Sequence, residues 1–165
     1  MPYTYAMEFA GLPIHPLIVH VVVVFAPLAG VGGILYALVP RWRWWLRWPF
    51  VACAVIAAVA GLIAAQSGFS LEHSRHLDQL ASVRTHQHRG SILRWVLVAF
   101  LIPTGLAALM LGGPSPLISG WGAREGRTGA VAIGIQVLLV ASAVFLLIWV
   151  VLTGDSGARA VWHLG

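Results

Sequence analysis

Four long apolar runs constrain the fold of this chain more than any other feature of its sequence. They cover approximately residues 17–39, 49–65, 91–112 and 128–153. A bilayer core of roughly 30 Å needs about 20 apolar residues in a helix, and each run meets or approaches that length. Inside lipid, an α-helix satisfies all of its own backbone N–H and C=O groups. The sequence therefore predicts four transmembrane helices.

The composition supports an integral membrane protein. Hydrophobic residues make up 59% of the chain and charged residues 9%, whereas soluble domains are typically about 45–50% apolar and about 25% charged. We predict an all-α, integral membrane four-helix up-and-down bundle in which residues 1–165 form a single transmembrane domain. We expect the lipid bilayer to surround this bundle.

The arginines indicate contact with the membrane interface. The net charge of +5 comes from ten basic residues, all of them arginine, and five acids. They stand singly or in short groups beside the apolar runs, so we predict no nucleic-acid partner. Arg41, Arg43 and Arg47 alternate with tryptophans in a short turn at residues 41–48. This pattern predicts an interfacial anchor whose guanidinium groups reach water or lipid phosphate.

The same arginines predict the orientation of the chain. One face of the predicted bundle carries Arg41, Arg43, Arg47, Arg124 and Arg127 in short loops, whereas the other carries Arg75, Arg84, Arg89 and Arg159. Short arginine-rich loops favour the cytoplasm. We therefore expect both termini to be extracytoplasmic.

All seven histidines fall at the edges of the apolar runs or in the gaps between them. With four membrane crossings, these positions place every histidine on the same side of the bilayer. Imidazole ligates metals and heme iron and carries protons near neutral pH, so any chemistry is predicted at this extracytoplasmic end. The seven are His15, His20, His73, His76, His86, His88 and His163.

Two of these histidines suggest a heme site. His15 and His20 lie about 140° apart around a helix, and we expect His20 to point into the bundle while His15 reaches water or a loop. The first and third helices start on the same side, so His20 and His86 enter the bilayer at similar depth. Gly90, one turn after His86, leaves room for a flat ligand. The pattern predicts a six-coordinate heme b with His20 and His86 as axial ligands.

Two arginines would complete this heme site. Arg89 and Arg94 lie at the same end of the third run, where we expect them to pair with the heme propionates. Such a protein would transfer electrons to a redox partner protein or a quinone. It could act as a homo-oligomer or as a subunit of a larger membrane complex.

A transition-metal site is the alternative interpretation of this end. His73 and His76 are three residues apart and could face one ion in a helical segment, with Glu72 and Asp78 close by. Imidazole and carboxylate without thiolate suit zinc, copper or iron. The candidate ligands are His15, His20, Glu72, His73, His76, His86 and His88.

Other functional classes have less support in the sequence. The chain contains no Gly-x-Ser-x-Gly elbow, so an electron-transfer or binding protein is favoured over a hydrolase. A third interpretation is a non-catalytic accessory subunit whose histidines only titrate in a loop.

The sequence resembles a known family, most clearly in one short segment. Residues 11–20, Gly-Leu-Pro-Ile-His-Pro-Leu-Ile-Val-His, resemble the start of the first helix in the bacterial membrane family catalogued as domain of unknown function 2231, whose hallmark is His-Pro-x-x-x-His. The resemblance continues over nearly the whole chain, at Ser67, Gly68, Leu71, His86, Gly90 and residues 153–162.

The resemblance implies a multi-pass protein of the bacterial cell membrane, with His15, His20 and His86 at matching positions. Some members of the family are joined to Rieske-type iron–sulfur domains, which favours a redox role. Asp155 stands where some relatives have a histidine. No metal or heme role is therefore carried over to the tail.

Overall fold

The computed structural model describes residues 8–9, 12–75, 81–114 and 117–162. Its helices are α1 (Ile14–Leu38), α2 (Arg43–Arg75), α3 (Ala81–Met110) and α4 (Gly129–Trp162). A 3₁₀ turn, Pro40–Trp42, links α1 to α2. Two-residue strands β1 (Glu8–Phe9) and β2 (Leu12–Pro13) pair in antiparallel fashion before α1. All four helices are long and apolar enough to cross a membrane, so the prediction of a four-helix membrane bundle is confirmed.

Consecutive helices run antiparallel. The start of α1 contacts the end of α2, because a Cβ added at Gly68 would touch His15, and the end of α1 meets the start of α2 where Tyr36 stacks on Phe50. Helix α1 also packs against α4, and α3 packs against both α4 and α2. Helices α1 and α3 face each other across the diagonal of an up-down-up-down bundle.

Small residues allow the helices to approach closely. Inside a bilayer, lipid tails are as apolar as side chains, so association depends on packing. A Cβ added at Gly61 would lie 2.5 Å from the side chain of Leu97, and one at Gly33 would lie 3.3 Å from Phe100. Large exposed side chains such as Ile102 face outward, where lipid would cover them. Five alanines in the core are 0% exposed: Ala26, Ala29, Ala57, Ala107 and Ala143.

The helices are longer than the apolar runs that predicted them. The gap between the second and third apolar runs is helical at 67–75 and 81–88, and the expected interfacial turn continues as helix from residue 43. At 1.5 Å per residue, the 33 residues of α2 span about 50 Å, more than the hydrocarbon core of roughly 30 Å. An apolar run marks only the part of a helix that lies in lipid, and the helix continues beyond it.

The expectation that Arg43 reaches water or lipid phosphate was wrong. Its side chain is only 7% exposed, and its Nε and Nη2 atoms donate to the carbonyls of Tyr36 and Ala37, at 2.8 Å each. Its Nη1 atom donates to the Gly112 carbonyl at 2.7 Å. The last carbonyls of a helix have no partner within the helix. Arg43 therefore caps the end of α1 and ties it to the segment after α3.

We expect Arg43→Ala to lower the stability of the protein by more than about 2 kcal/mol, because it leaves three carbonyls without their charged donor. Thermal unfolding of the detergent-solubilised protein measures this loss. Arg41→Ala is the matched control, since Arg41 is exposed at the same end of the bundle. Equal melting temperatures for the two variants would contradict the capping role.

Candidate functional site

Two histidines from diagonally opposite helices meet at one end of the bundle. His15 lies in the first turn of α1 and His86 in the second turn of α3. Their ring centroids are 6.4 Å apart, in an edge-to-face arrangement with 75° between the ring planes. Both side chains are half-buried.

The ring of His15 is held by the end of α2. Its Nδ1 lies 3.0 Å from the Ala64 carbonyl oxygen and 3.3 Å from Ser67 Oγ. The Ser67 hydroxyl itself donates to the Ala64 carbonyl at 3.1 Å. Its lone pairs are therefore available to the imidazole.

His86 has the same surroundings at the end of α4. Its Nδ1 lies 3.2 Å from the Thr153 carbonyl oxygen and 3.4 Å from Ser156 Oγ. The Ser156 hydroxyl donates to the Thr153 carbonyl at 2.8 Å. The two imidazoles are thus bound by the same set of groups, one on each side of the bundle.

These contacts determine the tautomer of both neutral rings. A carbonyl oxygen carries no proton, so Nδ1 of His15 and of His86 must be the donor. Nε2 then keeps its lone pair, and within the described part of the chain neither Nε2 has a hydrogen-bond partner. A histidine that ligates a metal commonly donates its other ring N–H to a backbone carbonyl in this way. In both rings, the Nε2 lone pair is therefore available to a ligand.

A glycine next to each serine makes room for the imidazole. A Cβ added at Gly68 would lie 2.9 Å from Cε1 of His15, and one at Gly157 would lie 3.0 Å from Cε1 of His86. Real Cβ atoms essentially never approach closer than 3.0 Å and seldom reach that distance, so the imidazole would have to shift to admit a larger residue at either position. These contacts were not predicted from the sequence, although the Ser-Gly dipeptide at residues 67–68 and 156–157 was a signal for them.

The expected direction of His20 was wrong. His20 is exposed on the outer face of α1, where its Nδ1 bonds to the Pro16 carbonyl of its own helix, whereas His15 turns toward α2. The spacing of five residues correctly predicts that the two histidines diverge. It does not determine which one faces inward, because the contacts of α1 with α2 set the rotation of the helix. His88 is also exposed.

The two arginines expected at a heme differ in their surroundings. Arg89 donates to the Leu152 carbonyl at 2.8 Å and lies 3.9 Å from Asp155, so it links α3 to α4. Arg94 lies deeper along α3, and its guanidinium stands 5.3 Å from the ring centroid of Trp95. Its Nε is buried without a hydrogen-bond partner among the described residues. Of the two arginines expected at a heme, Arg94 is therefore the one with a buried donor left unpaired among the described residues.

Much of the predicted metal loop lies outside the described residues. This holds for His76 and Asp78, and for the side chains of Glu72 and His73 at the end of α2. His163, in the tail, also lies outside the described residues. In the part of the chain that the structure describes, no group of three His, Cys, Asp or Glu side chains could hold a metal ion. The described site therefore offers two imidazole ligands.

His15 and His86 fit the ligand requirements of a heme. Two imidazoles bound to opposite sides of one metal, at about 2.0–2.1 Å per bond, have ring centroids about 6 Å apart, and the observed separation is 6.4 Å. A Cβ added at Gly90 would meet no described atom within 4 Å, so space is open beside His86. The unpartnered Nε of Arg94 suits the acidic substituents of such a group.

Fold and site together define a four-helix membrane protein with a histidine pair at one end of its bundle. The family model described as "Predicted membrane protein (DUF2231)" matches residues 11–165. The chain belongs to this family. No curated protein and no solved structure matches this chain.

Proposed function

We propose that this chain is a membrane protein that binds heme b through His15 and His86 and transfers electrons. One observation carries the proposal: two neutral imidazoles from different helices lie 6.4 Å apart, each with its Nδ1–H donated to a backbone carbonyl. This arrangement leaves both Nε2 lone pairs for a ligand. The axial pair differs from the one expected from sequence, because His15 takes the place of His20.

The number of imidazoles in the described site suits a heme. A heme supplies four nitrogens itself and needs only two protein ligands, and His15 and His86 are two imidazoles from different helices with ring centroids 6.4 Å apart. Arg94, whose Nε has no partner among the described residues, would supply positive charge for a propionate.

When bound, the heme would supply one-electron redox chemistry, and the residues around it would tune its potential. Donation of Nδ1–H to a carbonyl makes an imidazole a more basic ligand. The site lies at the end of the bundle where α1 and α3 begin, within reach of a redox partner protein or a quinone headgroup. The arginine-rich opposite end would face the cytoplasm of a bacterial cell, which makes the histidine end extracytoplasmic.

The absorption spectrum of the purified protein tests this proposal. We expect protein produced with ample heme to show a Soret band that shifts on reduction, with one heme per chain by pyridine hemochrome assay. Elemental analysis of the same sample serves as the second measurement. A colourless protein, or one that carries stoichiometric zinc or copper without heme absorbance, would overturn the proposal.

A further inference from the structure

Helices α1 and α3 bury residues at equivalent positions. His15 and His86 are 71 positions apart, and the same offset relates every residue buried in α3 to a residue buried in α1. The buried pairs are Val22 and Leu93, Ala26 and Leu97, Ala29 and Phe100, Gly32 and Pro103, Gly33 and Thr104, Tyr36 and Ala107, and Ala37 and Ala108.

Helices α2 and α4 repeat a second pattern. Ser67 and Ser156 are 89 positions apart, and this offset relates seven buried positions of α2 to seven buried positions of α4. The pairs are Leu46 and Ile135, Phe50 and Leu139, Ala54 and Ala143, Ala57 and Leu146, Gly61 and Val150, Ala64 and Thr153, and Ser67 and Ser156.

The polar contacts repeat as well. Each histidine binds a carbonyl and a serine that are related by the second offset. At the other end, an arginine donates to the last carbonyls of each first helix, although the two arginines are not related by either offset: Arg43 caps Tyr36 and Ala37 of α1, and Arg124 donates to Ala108 and Leu109 of α3, at 3.0 and 2.9 Å. The hairpins α1–α2 and α3–α4 therefore build the same unit twice, around a pseudo-twofold axis along the bundle.

We propose that this axis passes through the site, and that Ser67–Gly68 and Ser156–Gly157 are equivalent positioning pairs that present both imidazoles to one shared ligand. The inference rests on the proposed function, with heme b as that ligand. Each serine supplies a second acceptor for Nδ1–H, and each glycine leaves space for the ring. Because the two halves are equivalent, neither histidine is the dominant ligand.

Each serine acts as a hydrogen-bond acceptor for the neighbouring imidazole, because its hydroxyl proton points elsewhere. Ser67 and Ser156 are 2% and 4% exposed, and each hydroxyl donates to the carbonyl that also accepts from the imidazole. Each oxygen can therefore only accept from Nδ1. An alanine would leave Nδ1–H with one acceptor and weaken the preference for the ligating tautomer.

Paired serine variants test the inference. We expect Ser67→Ala and Ser156→Ala to weaken heme binding by a similar factor, about tenfold each, and to shift the midpoint potential in the same direction. Threonine at either position, which keeps a hydroxyl, should restore both values. Ser142→Ala is the control, since Ser142 Oγ donates to the Leu139 carbonyl at 3.0 Å in α4, away from the histidine pair.

The tautomer itself provides a readout that needs no heme. Nitrogen-15 NMR of histidine-labelled, heme-free protein should show Nδ1–H at His15 and His86, and each serine variant should reduce that form at its own histidine. Nε2–H tautomers in the unaltered protein, or an effect from only one of the two serines, would overturn the inference. If the unaltered protein binds no heme but shows both Nδ1–H forms, the proposed function fails and the positioning role stands.

Discussion

His15→Ala and His86→Ala are each expected to abolish the low-spin, six-coordinate heme spectrum. Each substitution removes one of two axial ligands, and the described residues offer no third imidazole on the inner face of the bundle. The two variants should lose the spectrum to the same extent, because the rings have the same partners. Visible absorption and electron paramagnetic resonance of the purified proteins measure the loss.

His20→Ala and His88→Ala are the matched controls, because both side chains are exposed on the outer faces of the same helices. They should retain the heme and its spectrum. The opposite result, with the spectrum lost in His20→Ala and kept in His15→Ala, would favour the ligand pair expected from sequence and contradict the geometry of the site.

Gly157→Ala and Gly68→Ala are expected to lower heme occupancy severely without loss of fold. The new methyl group would lie about 3 Å from the imidazole and push the ring away from its carbonyl acceptor. Loss of such a hydrogen bond to a ligating histidine commonly costs about 10-fold to 100-fold in affinity. An alanine within a helix is favoured over glycine by up to about 1 kcal/mol, so the melting temperature of the heme-free protein should not fall in parallel.

Gly154→Ala is the control for this pair of variants. Gly154 lies three residues before Gly157 in α4, and a Cβ added there would meet no described atom within 4 Å. It should bind heme as the unaltered protein does. If all three glycine variants retain full occupancy, the close approach of these glycines has no part in the site.

The fold was predictable because membrane crossing leaves a strong signal in the sequence. A helix in lipid must be apolar over about 20 residues, and the four runs therefore located α1 to α4. Helix lengths were not predictable in the same way. Residues 69–75 and 81–88 are mostly polar and extend α2 and α3 beyond the apolar runs. Hydropathy carries no information about helix formation in such segments.

The internal repeat is not visible in the sequence, because equivalent positions carry side chains of different size. Packing requires a large side chain on one side of the core to meet a small one on the other. Gly33 and Thr104 are equivalent positions, as are Ala29 and Phe100, yet the large member of one pair fills the space left by the small member of another: Phe100 packs against Gly33. Residue identity therefore differs where burial is the same. Only the pattern of buried positions and polar contacts in the tertiary structure shows that the hairpins are equivalent.

The linear pattern of residues was sufficient to determine membrane insertion, the number of helices and the end of the bundle that carries His15 and His86, because these depend on apolar length and on how often the chain crosses the bilayer. Which histidine faces inward depended on tertiary structure. A helix with His15 and His20 at 140° must turn one of them outward, and the packing of α1 against the Ser67–Gly68 end of α2 selects His15. The rotation of a helix about its axis is decided by its neighbours, and sequence spacing alone carries no record of them.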